Sequence, residues 1–107
     1  MPDSPFDVTI RVGKVIHAEP FPEARKPRLC KLRIDLGGRT VQSAAQLLYH
    51  YTPEALVGRQ VLCATNLGSV RIAGFASEVL VVGVPGEDGH PVLVVPDKDV
   101  PVGGALY

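Results

Sequence analysis

Apolar and polar residues alternate along much of this chain with the two-residue period of strands. Val8, Ile10 and Val12 alternate with Thr9 and Arg11, and the parity then breaks at Gly13 and Lys14 before Val15. This predicts a strand bent at a bulge, where glycine tolerates the kink a closing barrel needs. Cys30, Leu32, Ile34 and Leu36 alternate with Lys31, Arg33 and Asp35 in a second, amphipathic strand. Gly37 and Gly38 end it as a hairpin turn into residues 39–43, and Cys30 reads as a small core residue. Between these strands, residues 19–27 contain Pro20, Pro22 and Pro27 and no period. That predicts a loop of about nine residues, long for a compact domain and therefore a candidate for function.

Ala, Gln and Leu between Ala44 and Tyr51 favour a helix. A sharper signal follows, because Thr52 can cap, Pro53 suits the first helical position, Glu54 complements the helix N-terminus and Gly58 can close the turn left-handed. Residues 60–65 read as a strand, 66–76 as a second long loop, 78–84 as an apolar strand and 92–95 as its hairpin partner across 85–91. Five or six strands with a short helical insertion after the third predict an all-β Greek-key barrel, with the OB-fold as the expected architecture. In that barrel the loop between strands 1 and 2 and the loop between strands 4 and 5 flank the ligand face. They would place Arg25, Lys26 and Arg28 opposite Asn66, Arg71 and Ser77, with Lys31 and Arg33 projecting from strand 2 between them.

A length of 107 residues has room for one domain, read as residues 1–107. With 46% hydrophobic and 21% charged residues the chain should fold. No apolar run approaches the ~20 residues that span a bilayer, and Met1 to Ile10 has neither a basic n-region nor a long apolar h-region. The expectation is a protein that is neither inserted in a membrane nor secreted. Cys30 and Cys63, the only cysteines, fit reduced thiols in a cytoplasm. Net charge is zero, but residues 1–53 hold eight Lys or Arg against five Asp or Glu, and residues 54–107 three against six. The excess gathers at Arg25, Lys26, Arg28, Lys31, Arg33 and Arg39, with Asp35 the acid among them. A solvated strand face is the bland reading of that patch, and an anionic ligand the sharp one.

Catalysis finds little support. His17, His50 and His90 are far apart, with no metal-ligand spacing to a carboxylate, so neither metal nor cofactor is expected. Asp97 and Asp99 lie between Pro96 and Pro101 in a predicted turn, and Ser43 and Ser77 lack the setting of an activated nucleophile. The chain does not read as an enzyme.

Several strings carry a family resemblance. Residues 41–46 (VQSAAQ), 51–58 (YTPEALVG), Asn66-Leu67 with residues 71–78 (RIAGFASE), and Pro96-Asp97 resemble the stand-alone tRNA-binding domains. The resemblance is strongest to CsaA-type export chaperones and extends to the tRNA-binding appendages of some methionyl-tRNA synthetases. It covers nearly the whole chain and implies a homodimeric OB barrel. For tRNA, Arg28 stands at the family's basic loop position, Ser77 at its serine after the second-loop glycine, and Leu80 where methionine is frequent. Arg28, Lys31, Arg33, Asn66, Arg71 and Ser77 are the resulting tRNA-binding candidates. Arg suits bidentate phosphate contact, and Ser and Asn can donate to phosphate or 2′-hydroxyl oxygens. With no aromatics on strands 2 and 3 for base stacking, folded tRNA is the better nucleic-acid ligand. Gly68, Ser69 and Ala76, where relatives carry Pro or a basic residue, lower the positive potential of the second loop.

For export, the resemblance implies an apolar cavity that holds unfolded preproteins or meets the export machinery. Phe21, Leu67, Ile72 and Phe75 are its expected wall, although Ile72 and Phe75 could equally fold their loop onto the barrel. The uncharged, apolar stretch from Val100 to Tyr107 is easier to explain if a second copy covers it.

Overall fold

A computed structural model describes residues 7–107; the first six residues, part of the stretch read above for a targeting signal, lie outside the described residues. Strands β1 (Ile10–Pro20), β2 (Cys30–Asp35), β3 (Thr40–Ala45), β4 (Gln60–Ala64) and β7 (Leu80–Val81) form one sheet in the order β3-β2-β1-β4-β7. The hairpin β5 (Val70–Ile72) and β6 (Phe75–Ser77) leaves the barrel between β4 and β7, and β8 (Gly83–Pro85) pairs with β9 (Pro91–Leu93). The sheet curls until its outer strands meet. Glu78 N–H donates to the Gln42 carbonyl at 2.9 Å and Ala44 N–H to Ser77 Oγ at 3.0 Å, joining the β3 edge to the segment entering β7. This is the expected OB barrel.

The core follows the alternation read from the sequence. Cys30, Leu32, Ile34 and Leu36 point inward with Val15, Val41, Val61, Cys63, Val79 and Val81, and fully burying a side chain such as Leu32 or Ile34 contributes roughly 1.5–3 kcal/mol. Ser43 is the one buried polar residue among those described, and its hydroxyl donates to the Val79 carbonyl at 2.7 Å.

The expected bulge at Gly13 and Lys14 lies elsewhere. β1 pairs regularly with β4 through both residues, and the register slips against β2 between Val15 and His17, which leaves Ile16 as the extra residue. Gly13 faces the core for another reason: a methyl group there would run into the Ile34 side chain, so glycine makes room for a larger neighbour.

Two further expectations are corrected. Residues 44–51 form no helix: Ala44 and Ala45 continue β3 opposite Lys31 and Cys30, and turns follow. Barrel closure through the Ala44 amide outweighs a weak helix preference. Residues 66–76 are not an irregular loop but contain the β5–β6 hairpin, whose two-residue turn puts Ala73 (φ 47°) and Gly74 (φ 80°) left-handed. The helix α1 (Pro53–Leu56) forms as its capping residues require. Thr52 Oγ1 accepts from Ala55 N at 3.2 Å, and left-handed Gly58 (φ 91°) turns the chain so that its N–H reaches the Val15 carbonyl.

The C-terminal segment lies on its own barrel. Val12 N–H donates to the Gly104 carbonyl, Gly103 N–H to the Val12 carbonyl and Leu106 N–H to the Ile10 carbonyl, each at 2.8 Å. The segment covers Val12 and needs no second copy for that, although Tyr107 stays 94% exposed. No helix among the described residues is long and apolar enough to cross a membrane.

Candidate nucleic-acid and peptide interface

The loop after β1 and the β5–β6 hairpin meet on one side of the barrel. Phe21 and Phe75 pack edge to face, with ring centroids 5.6 Å apart at 68°. Lys31, rising from β2 beneath them, places Nζ 4.9 Å from the Phe21 ring centre and 5.6 Å from that of Phe75, and 4.0 Å from Glu19 Oε1. Its ammonium is thus held by two ring faces and a carboxylate. Arg33 is exposed one strand period further along the same face, opposite His17 on β1 and Gln42 on β3.

Arg28 occupies the other flank of the loop with φ 60°, a conformation that costs a non-glycine residue on the order of 1–3 kcal/mol and so needs support. Its carbonyl accepts from Leu48 N–H at 3.2 Å, and Gln46 Nε2 donates to the preceding Pro27 carbonyl at 3.0 Å. Its guanidinium lies 5.7 Å from the Tyr49 ring centre. Tyr49 is stacked on His90, centroids 3.5 Å apart and nearly parallel, while His50 Nε2 sits 3.1 Å from Asp88 Oδ2. The His90 amide donated to Asp88, with His50 beside it, holds that carboxyl below its ordinary range. Residues 86–90 are thereby tied to the same flank as Arg28.

Three predicted tRNA contacts have other duties. Asn66 lies by the start of β1, where Oδ1 accepts from Thr9 N–H at 2.9 Å and Nδ2 donates to the Asp7 carbonyl at 3.1 Å. It fastens the exit of β4 to the start of β1. Ser77 Oγ is taken up by the Ala44 amide that closes the barrel. Arg71 Nη1 donates to the Gly74 carbonyl across its own hairpin turn at 3.0 Å. Lys31 and Arg33 are therefore the predicted cations that share the outer face of β2, with Arg28 on the other flank of the loop and Arg71, exposed on the hairpin, keeping its remaining donors.

The apolar wall also differs from expectation. Phe21 is 5% exposed and serves as an anchor, Phe75 is half-buried against it, and Leu67 is exposed on the hairpin's approach. Ile72 instead lines a groove of about 490 Å³ with Leu29, Leu47, Leu80 and Val84, and Lys26 stands at its edge. Leu80 and Val84 remain 54% and 51% exposed there. The sequence signal for Leu80 was the unbroken apolar run from Val79 to Val82, which leaves both faces of a strand apolar; Val84 follows beyond Gly83. Leu29 and Leu47 gave none, because they join the others only through barrel closure.

Burial pushes the Cys30 thiol up to about 11 and the Cys63 thiol up to about 12. Both are protonated at neutral pH and shielded from reagents. Among the described residues no three His, Cys, Asp or Glu side chains gather to hold a metal ion.

A small barrel with a basic strand face between a long loop and a projecting hairpin defines an OB-fold binding domain. The chain belongs to the tRNA-binding domain family, whose description is "Putative tRNA binding domain" and which matches residues 10–105. It is 41% identical over 102 residues to the methionine–tRNA ligase of Bacillus subtilis and 34% over 99 residues to that of Methanocaldococcus jannaschii. These alignments cover 94% and 92% of this chain but 15% of each ligase, so the chain spans about a seventh of those relatives. Among solved structures it is similar to chaperone CsaA from Bacillus anthracis (TM-score 0.87, 39% identity, 94% of this chain and 91% of that one). It is also similar to a CsaA chaperone from Picrophilus torridus (TM-score 0.86, 33% identity, 94% and 92%).

Proposed function

We propose that this protein is a cytoplasmic, homodimeric chaperone of the CsaA type that holds unfolded segments of secretory preproteins for export. The groove carries this reading: a concavity of about 490 Å³, floored by buried Leu29 and Leu47 and lined by Ile72, Leu80 and Val84, leaves Leu80 and Val84 in water unless a ligand covers them. Lys26 at its edge and Arg25 nearby in the loop offer charges to the polar backbone or acidic side chains of such a segment. The likeness to CsaA structures along more than nine-tenths of both chains supports the same reading. Two copies would offer two grooves to one long unfolded chain, which raises its effective concentration at the second. The test is suppression of aggregation of an unfolded preprotein by wild type and by Leu80→Ser, with mass measured by light scattering. The expected result is a dimer whose Leu80→Ser form suppresses less; equal suppression would count against the groove.

A second reading, a tRNA-binding protein acting in trans, is favoured by the strained and supported Arg28 on one flank of the loop and by Lys31 and Arg33 on the outer face of β2. These cations suit phosphate and shape recognition rather than base readout. In tRNA titrations at several salt concentrations, Arg28→Ala should lower the magnitude of the log–log slope by roughly 0.7–0.9. An unchanged slope would remove Arg28 from the contact.

A further inference from the structure

At the end of β2 remote from Arg28, the β2–β3 turn and the C-terminal segment meet backbone to backbone. A methyl group on Gly37 would lie 2.8 Å from the Val102 carbonyl oxygen, and one on Gly103 would lie 2.7 Å from that of Leu36. Both glycines are left-handed, with φ 79° and 93°, so neither position accepts a side chain on two separate grounds. The contact is fastened from further along the segment, where Gln60 donates to the Val100 carbonyl at 2.6 Å and accepts its N–H at 3.0 Å.

Beside this contact opens a shallow niche of about 390 Å³ lined by Arg11, Gly37, Gly38, Arg39, Val102 and Gly103. Arg11 uses one nitrogen, Nη1, on the Gly103 carbonyl at 3.0 Å, which fixes the guanidinium at the niche while leaving its other donors unassigned. Among the described residues neither Arg11 nor Arg39 forms an ion pair. The acid of the turn, Asp35, accepts the Gly37 amide at 2.8 Å, so one carboxylate stands beside the two guanidiniums. The Gly37 and Gly103 amides are already spent, but two guanidiniums against one carboxylate leave the niche net positive, a receptor for a tetrahedral oxyanion.

We infer that the niche between Arg11 and Arg39 binds a phosphate group, separately from Arg28. The six residues of β2 separate the two places by about 20 Å at ~3.3 Å per residue, so one structured RNA could engage both through its backbone. The RNA source rests on the tRNA-binding reading; a free phosphate or small phosphorylated ligand has the same chemistry and does not.

The experiment has two arms on the full chain. In the first, inorganic phosphate is titrated into isotope-labelled protein at constant ionic strength while the amide signals of Gly37, Gly38, Arg39 and Gly103 are followed. Saturable shifts are expected in wild type and in Arg39→Lys, and their loss in Arg39→Met. Arg39 is exposed at a turn, and the unchanged remainder of the spectrum checks that this variant folds. In the second arm tRNA is titrated at several salt concentrations. A slope lower by roughly 0.7–0.9 in Arg39→Met makes the RNA backbone the source. An unchanged slope, or no tRNA binding by wild type, beside saturable phosphate shifts makes it a free phosphate compound. Absence of saturable shifts with phosphate overturns the niche whatever tRNA does.

Discussion

Phe21 and Phe75, 54 positions apart in sequence, meet edge to face with ring centroids 5.6 Å apart. This contact joins the loop after β1 to the hairpin after β4, and Lys31 lies against both rings. Because Phe21 is buried, Phe21→Ala removes packing on both segments together. We expect a loss of about 3 kcal/mol, the low end for a buried Phe→Ala change, since the site lies at the rim and can relax. Denaturant unfolding measures it; a loss below about 1 kcal/mol would mean the segments hold their places independently.

The β5–β6 turn stores a smaller strain. Ala73 is left-handed at φ 47°, where an alanine side chain costs roughly 1–2 kcal/mol and asparagine is better tolerated. Ala73→Asn should therefore stabilise the protein, by up to about 1 kcal/mol in thermal or denaturant unfolding. Destabilisation would show that the Ala73 methyl has a contact worth more than the strain.

The tie between residues 86–90 and the Arg28 flank depends on Asp88. The His90 amide, with His50 beside it, holds the Asp88 carboxyl below its ordinary range. A carboxyl lowered by folding contributes its stability above the ordinary pKa, and that contribution is lost as pH falls through the lowered value. The side-chain carboxyl carbon signal of Asp88, followed by NMR, should therefore titrate with its midpoint below the ordinary carboxylate pKa of about 3.9. A midpoint at or above that pH would contradict the assignment.

Much of this barrel was legible because the signals were local. Cys30 to Leu36 declared a strand by alternation, and Thr52, Pro53 and Gly58 declared a single helical turn by their individual conformational needs. The hairpin at residues 70–77 stayed hidden because its turn uses Ala73-Gly74 in place of Asn-Gly or Asp-Gly. Ala44 and Ala45 misled because helix preference is weak beside the strand pairing and barrel closure that claim them. Among the site residues, Arg28, Lys31 and Arg33 were legible as a charge cluster near one strand. The hydrogen bonds that occupy Asn66 and Ser77 join partners 57 and 33 positions away, which no local pattern reveals. The groove was hidden for the same reason, since Leu29, Leu47, Ile72 and Val84 come from four stretches of chain.

The groove's role is tested most directly by the affinity of a fluorescent, unfolded preprotein segment for wild type and for the double variant Leu80→Asp, Val84→Asp, read by anisotropy. Both side chains are more than half exposed, so the charges enter without disturbing the core. The expected result is an affinity at least tenfold weaker, about 1.4 kcal/mol, with the amide spectrum of the barrel retained. Equal affinity in a folded double variant would contradict the account.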